Sequence, residues 1–458
     1  MSTPPPSMHE IPPEIFQRIF SFLAHHKRTI SLASLACRSW HNELKKILFR
    51  HLRVSVGTKK HTWKKFQGLV HSSNGIGDCI RWLGLFNVRE NNPPEPEVLV
   101  DLLKALRRLD ALELHGCWFR TFPTSLFDTP RLDHHLKSLT IVERDVKRST
   151  YHLDLGMHLA VALLFQSIGD LDIRTSAMAW NMTLEGVSLP PIPRDCVRAH
   201  TVHLGRDSNP AIRDVFSRIL DRTALKAVHI DMRFPDIELS MAFARTVRAP
   251  SLILDITPPV APVGLKSILD ELDVTDHDFL REVHIRFDDW HLRKYNIPET
   301  LRSLCTFFSR LPASVYHIVI IMKLPDGYPE DVEQYSLDTE EFSSDDERDS
   351  DAEQRDSDLE NDSDAEHDGS DAEEDPLSAW REGLLSAWKE FDSCLARNTH
   401  LSDVEFSFSR SQVVDVAGDK HNVQSPISEA EKASLRNMVP EVVGRNILRF
   451  SSRPLLYS

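Results

Sequence analysis

The chain has 458 residues, of which 41% are hydrophobic, and a formal net charge of −15. That length allows two or three domains with a large core, and the composition fits a globular protein rather than a fibrous or wholly disordered one. No apolar run approaches the ~18 residues needed to span a bilayer, since even Val315 to Leu324 is short and holds His317 and Lys323. The start, MSTPPPSMHE, lacks the basic and apolar stretches of a secretory leader, so a cytoplasmic or nuclear protein is expected. Six cysteines lie far apart with no Cys-x-x-Cys pair, which argues for reduced thiols and against a zinc site or a disulfide framework.

In chain order, residues 1–9 read as a disordered N-terminus. Ile11, Ile15, Ile19 and Phe22 then recur at near-helical spacing beside Phe16, Phe20 and Leu23. This predicts a helix apolar over more than half its circumference. After a polar break at His25 to Thr29, Leu32, Leu35, Ala36 and Trp40 repeat the rhythm, and Leu44, Ile47 and Leu48 repeat it again. Three small helices follow. A unit of roughly 45 residues buries little surface, and so apolar a first helix needs a second surface to cover it. Residues 10–54 are therefore built to dock onto something.

The same residues carry a resemblance. Ile11-Pro12-Pro13-Glu14-Ile15, Ile19-Phe20-Ser21-Phe22-Leu23 and Leu32-Ala33-Ser34-Leu35-Ala36-Cys37-Arg38-Ser39-Trp40 follow one another within a short span. In that order they resemble the F-box, which opens on Leu-Pro-x-Glu-Ile/Leu, continues with an Ile-Phe/Leu-x-x-Leu run and closes on Leu-x-x-Val/Cys-x-x-x-Trp. Ile11 stands where the family usually has Leu. The resemblance implies the substrate-receptor subunit of a Skp-cullin-F-box ubiquitin ligase. Ile11, Pro12, Glu14, Ile15, Ile19, Phe20, Leu23, Leu35 and Trp40 would then form or support the surface that packs on the Skp adaptor, and through it on a cullin scaffold. Ubiquitin chemistry belongs to other subunits of such a complex, so the chain is expected to be a non-catalytic adaptor without a cofactor.

Residues 55–79 read as a linker helix. Lys59, Lys60, Lys64 and Lys65, with His61, Trp63 and Phe66, put positive charge beside aromatics as single-strand binders do. The stretch is short, however, and reads more easily as an exposed helix face, so nucleic acid is not an expected partner. Gly75-Ile-Gly77 lacks the third glycine of a dinucleotide fingerprint.

From residue 80 to 329 a unit recurs. Strands are predicted at Arg81 to Val88, Asp110 to His115, Leu136 to Val142, Ile168 to Arg174, Val197 to Leu204, Leu225 to Asp231, Leu252 to Thr257, Leu280 to Phe287 and Val315 to Lys323, with a tenth at Leu401 to Phe408. Most are separated by helix-like segments such as Glu97 to Leu109, at the period of a strand-plus-helix solenoid. Six share the template Leu-x-x-Leu-x-Leu: Leu109/Leu112/Leu114, Leu136/Leu139/Ile141, Ile168/Leu171/Ile173, Leu225/Val228/Ile230, Leu280/Val283/Ile285 and Leu401/Val404/Phe406. The apolar residues of a parallel strand point into the core and the residue between them to the open face. The template resembles the core of leucine-rich repeats, although the family's Asn or Cys occurs only at Cys117 among these six, and the prolines 190, 191 and 193 interrupt one unit. The expected fold is α/β: an F-box followed by an irregular, leucine-rich-repeat-like solenoid with a parallel sheet. An open parallel sheet that merely repeats is the alternative. Glu113, Thr140, Asp172, His229, His284 and Glu405, which lie between the apolar pairs, are the candidate target-binding residues, the target being an unknown protein.

Residues 330–376 form an acidic insertion. Glu330 to Asp375 holds 23 acidic residues against Arg348 and Arg355, a net of −21, while the rest of the chain is net +6. With few large apolar residues it cannot offset the entropy of ordering and is expected to be disordered. Ser344, Ser350, Ser357, Ser363 and Ser370 each precede an acid and have another at the third position. This resembles the acceptor site of casein-kinase-II-type kinases, and makes the five serines candidate phosphorylation sites. A different function is also open: a non-ligase protein whose acidic tract binds basic partners such as histones.

Residues 377–458 resume the repeat. Pro376 sits at a helix start, followed by Leu377, Trp380, Leu384, Trp388, Phe391 and Leu395 at helical spacing. Ser428-Glu-Ala-Glu431 is a capping box, Pro440 restarts the helix, Gly444 ends it, and Ile447 to Phe450 reads as a short edge element. The segment resembles the closing segment of many fungal F-box proteins. No catalytic motif stands out: there is no Gly-x-Ser-x-Gly, no phosphate loop and no His-Glu-x-x-His. His25-His26 and His134-His135 are adjacent pairs placed on loops, pointing apart and poor as metal ligands.

Overall fold

A strand such as Ala111–His115 alternates: Leu112 and Leu114 turn inward, Ala111, Glu113 and His115 outward. Among the described residues twelve strands form one sheet. The computed structural model describes residues 15, 18–20, 23, 26–56, 62–72, 75–87, 96–116, 124–142, 158–174, 192–205, 210–231, 237–256, 269, 272, 274–287, 297–324, 376–410 and 429–451. The strands are β1 (His51–Val56), β2 (Trp82–Asn87), β3 (Ala111–His115), β4 (Leu132–Val142), β5 (Phe165–Arg174), β6 (Ala199–Leu204), β7 (Ala227–Asp231), β8 (Ser251–Ile256), β9 (Glu282–Phe287), β10 (His317–Leu324), β11 (Asp403–Arg410) and β12 (Leu448–Ser451).

All pair in parallel and stand side by side in chain order. A parallel pair needs a crossover, and crossovers are almost always right-handed. With every step taken in one direction, right-handed crossovers fall on one face, and the described helices share a core with the inward residues of the strands. A doubly wound sheet would reverse its order partway and carry helices on both faces; this sheet does not reverse. The covered face is a continuous apolar row, in which Leu83, Leu112, Leu139, Leu171, Val202, Val228, Leu252, Val283, Ile318 and Val404 are register neighbours and all buried.

The helices are α1 (Lys27–Ala33), α2 (Arg38–Leu48), α3 (Thr62–Ser72), α4 (Pro96–Ala105), α5 (Thr124–Phe127), α6 (Pro210–Ile219), α7 (Ile237–Val247), α8 (Ile297–Ser309), α9 (Pro376–Arg397), α10 (Glu429–Met438) and α11 (Pro440–Gly444). Successive helices pack side by side, α3 on α4, α6 on α7 and α8 on α9, and bury Phe66, Leu102, Phe216, Phe307 and Phe391 in the same core. Residues 15, 18–20 and α1–α2 form a separate, smaller cluster around Phe20, Ile30 and Leu44.

All ten predicted strands are present, and the tail element is β12. Other placements differ. β1 straddles the boundary set at residue 54, because HLRVSV alternates like a strand and pairs with Trp82–Asn87 along its whole length. The second and third helices are offset from the predicted rhythm: α1 begins inside the presumed polar break, and Leu32 and Trp40 lie on different helices. Cys37 separates them, with an extended backbone and a thiol that accepts the Trp40 N–H at 3.5 Å to cap α2. His134 and His135 stand on β4 and not on a loop. A register shift between Leu132 and His135 lets β4 run four residues further back than predicted, pairing with Phe165 and Ser167. Gly444 ends α11, but the left-handed residue after it is Asn446 (φ 56°).

The last unit is latched. Asp392 of α9 is buried, and its carboxylate accepts the N–H groups of Glu441 (2.7 Å) and Val442 (2.9 Å), capping α11. In return Arg445 donates to the carbonyls of Leu395, Ala396, Asn398 and Leu401 at 2.8–3.3 Å, where α9 ends. Each charged group satisfies backbone groups that a helix end leaves open.

Candidate functional site

Two surfaces stand out. The first is on the N-terminal unit. Phe20 and Trp40 meet edge to face at 5.4 Å, and Leu23, Ile47 and Leu48 pack against the small core they share. Phe20, Leu23 and Trp40 therefore hold the helices together. The outer side is different: Ile15 is 52% exposed, Ile19 47%, Leu32 63% and Leu35 76%. Four large apolar side chains on one small unit are costly to leave in water. Of the nine residues assigned to adaptor binding, Ile15, Ile19 and Leu35 face outward, Phe20, Leu23 and Trp40 are internal, and Ile11, Pro12 and Glu14 lie outside the described residues. Leu32 joins the exposed group.

The second surface is the open face of the sheet. All six candidate target-binding residues fall in one row that crosses the strands: Arg53, Gly84, Glu113, Thr140, Asp172, His203, His229, Ile253, His284, Val319, Glu405 and Arg449 are successive register partners. Asp172, His203 and His229 are contiguous. The Asp172 carboxylate faces His203 Nδ1 at 3.0 Å and accepts from Arg174 Nε and Nη2 at 2.6–3.2 Å. The rings of His203 and His229 stack at 4.2 Å, and His229 Nε2 meets the Asp255 carboxylate at 2.6 Å. Arg286 lies 3.7 Å from Asp255 on its far side.

Burial pushes the Asp172 carboxyl up, but His203 and Arg174 outweigh it and hold it at about 2. Asp255 is likewise raised by burial and brought below its ordinary value by His229 and Arg286. Burial, helped by the neighbouring His203, lowers His229. Asp172, Arg174, His203, His229, Asp255 and Arg286 form a strip of linked polar side chains across five strands, β5 to β9.

A second group occupies β9 to β12. His317 lies 3.6 Å from both Glu282 and Glu405 and 3.9 Å from Asp403, which also pairs with Arg449 at 3.1 Å. Its acidic neighbours, Glu282 and Glu405 first, raise His317 to about 9. Hydrogen bonds from His284 and His317 hold Glu282 well below the usual carboxylate range.

At the other end, β1 to β3 carry aromatics. Phe86 is sandwiched between the Arg53 guanidinium, 4.5 Å from the ring centroid, and the stacked ring of His115 at 4.3 Å, which Glu113 in turn holds. Gly84 permits this, since a Cβ there would overlap the rings of Trp82 and Phe86.

No family model matches the chain, and no curated protein does. The functional reading therefore stands on these surfaces. Sequence reasoning missed His203, Trp82 and Phe86. A relaxed version of the template would have found His203, because Ala199-x-x-Val202-x-Leu204 follows it with alanine at the first position; Ile80-x-x-Leu83-x-Leu85 fits the template as it stands and marks Gly84, with Trp82 and Phe86 two residues to either side on the same face. Ser344, Ser350, Ser357, Ser363 and Ser370 lie outside the described residues. Among the described residues no group of His, Cys, Asp and Glu is arranged to hold a metal, and no helix is long and apolar enough to cross a membrane.

Proposed function

We propose that the chain is the substrate-receptor subunit of a Skp-cullin-F-box ubiquitin ligase. In this reading the N-terminal unit is an F-box that binds the Skp adaptor, and the twelve-stranded sheet is a leucine-rich-repeat-like solenoid whose open face holds a protein target. It acts in the cytoplasm or nucleus and performs no chemistry itself. The observation that carries the proposal is the outward set Ile15, Ile19, Leu32 and Leu35, on a unit whose own core is separate from that of the sheet. The sequential strand order supports the solenoid, because each unit then packs only on its neighbours. Co-purification with a Skp adaptor is the test. The wild type should bind and Ile15→Asp with Leu35→Asp should not; no binding by the wild type would remove the proposal.

A second reading rests on the net −21 of Glu330 to Asp375: a non-ligase protein that binds basic partners through its acidic tract. Deleting residues 330–375 separates the two, since adaptor binding should survive the deletion and tract-borne binding should not.

A further inference from the structure

We propose that the open face from β5 to β11 receives an extended segment of the target that is rich in lysine and arginine and runs across the strands. This rests on the reading of the open face as the target surface, and adds the chemical class of what it holds. Three observations support it.

The first is the sign of the charge. Seven carboxylates stand on this part of the face, from Asp170 on β5 to Glu405 on β11, against Arg174, Arg286, Lys323, His317, which its acidic neighbours raise to about 9, and the neighbouring Arg449 of β12. The sequence that joins β10 to α9 includes residues 330–375, whose net charge is −21. A cationic segment is drawn to this end of the molecule, and a nucleic-acid phosphate is repelled.

The second is an unmet requirement. Asp403 uses Oδ2 toward Arg449 and His317. Its Oδ1 is buried and has no hydrogen-bond partner among the described residues. That open position accepts. Lysine and arginine are the side chains that only donate.

The third is spacing. Six strand intervals of about 4.8 Å separate β5 from β11, so an extended segment of about nine residues crosses them. Asp172 and Asp255 stand three strands apart, Glu282 and Glu405 two. Basic residues three or four positions apart would each meet a carboxylate.

The test uses the full chain and a fluorescent peptide of about nine residues with arginine or lysine at every third position among glycine and serine. A matched peptide has glutamate in their place. The basic peptide should bind in a salt-sensitive way and the glutamate peptide should not. Asp172→Asn combined with Asp403→Asn should weaken binding at least about fivefold, and Arg174→Gln should tighten it by about threefold. The gain in the second variant cannot arise from misfolding. With residues 330–375 replaced by a glycine-serine linker, affinity should hold within about threefold while association slows. Equal binding of both peptides, no change in either variant, or complete loss with the linker would each overturn the proposal. A photo-crosslinker at Thr140 tells the two levels apart. If cellular proteins crosslink there and are lost in the double asparagine variant while no basic peptide binds, the face holds the target but the class is wrong. If nothing crosslinks, the open-face reading itself fails.

Discussion

The imidazoles of His203 and His229 lie 4.2 Å apart and 28° from parallel, with Asp172 beyond one and Asp255 beyond the other. Two stacked rings cannot both take a proton without repulsion, which is one reason His229 sits below its ordinary value, after burial itself. His203→Phe keeps a stacked ring and removes the titrating group between Asp172 and His229. The His229 midpoint should then rise toward 6.5, and the Asp172 midpoint should rise from about 2 toward that of a free carboxylate. Ring and carboxylate NMR titrations check both, and an unmoved His229 would refute the coupling.

His158 is fully buried in the core, and neither ring nitrogen has a hydrogen-bond partner among the described residues. Burial alone lowers it from 6.5 to about 4. A histidine depressed in the folded state contributes stability above its unfolded value, and that contribution is lost as pH falls through the folded one. The window is therefore pH 6.5 down to about 4, and the loss about 3 kcal/mol. His158→Leu should flatten the dependence of urea stability on pH across that window. An unchanged slope would assign the acid sensitivity elsewhere.

Within the N-terminal unit, two substitutions should separate packing from docking. Trp40→Ala removes the partner of Phe20 from a small core and should cost about 3 kcal/mol, unfolding residues 15–48 while the sheet stays protected from hydrogen exchange. Leu35→Asp touches a side chain 76% exposed and should leave exchange unchanged while abolishing adaptor binding. The reverse pattern would mean that the assignment of inner and outer residues is wrong.

Asp392→Ala strips two backbone donors of α11 of their acceptor. The expected cost is about 2 kcal/mol, read as a lower urea midpoint. Proteolytic exposure should begin at β12, because that strand is held by β11 and by the latch.

Much of this fold could be read from one periodicity. Leu-x-x-Leu-x-Leu places the inward rows correctly in all six units read with it, and so also the outward Glu113, Thr140, Asp172, His229, His284 and Glu405. It missed the neighbours that complete the strip. Ala199 and Ala249 fill the first apolar position with a methyl group, fully buried yet too small to register as a repeat signal. β1 escaped because its six residues follow directly on α2, and a strand so short carries little weight beside a strong helical rhythm. The pairing of His203 with Asp172 was beyond sequence reasoning for a different reason. It depends on register across strands some 30 residues apart, which no local spacing encodes.

The acidic segment departs from β10 and returns at α9, and β10 and β11 are joined by eight register pairs while α8 packs on α9. The two sides of that excursion are thus fastened to each other independently of the 51 residues between Leu324 and Pro376. Cleaving the chain there should leave a noncovalent heterodimer of fragments. The fragments could also be produced separately and mixed, which would make this protein a natural split reporter whose reassembly depends on the β10–β11 seam.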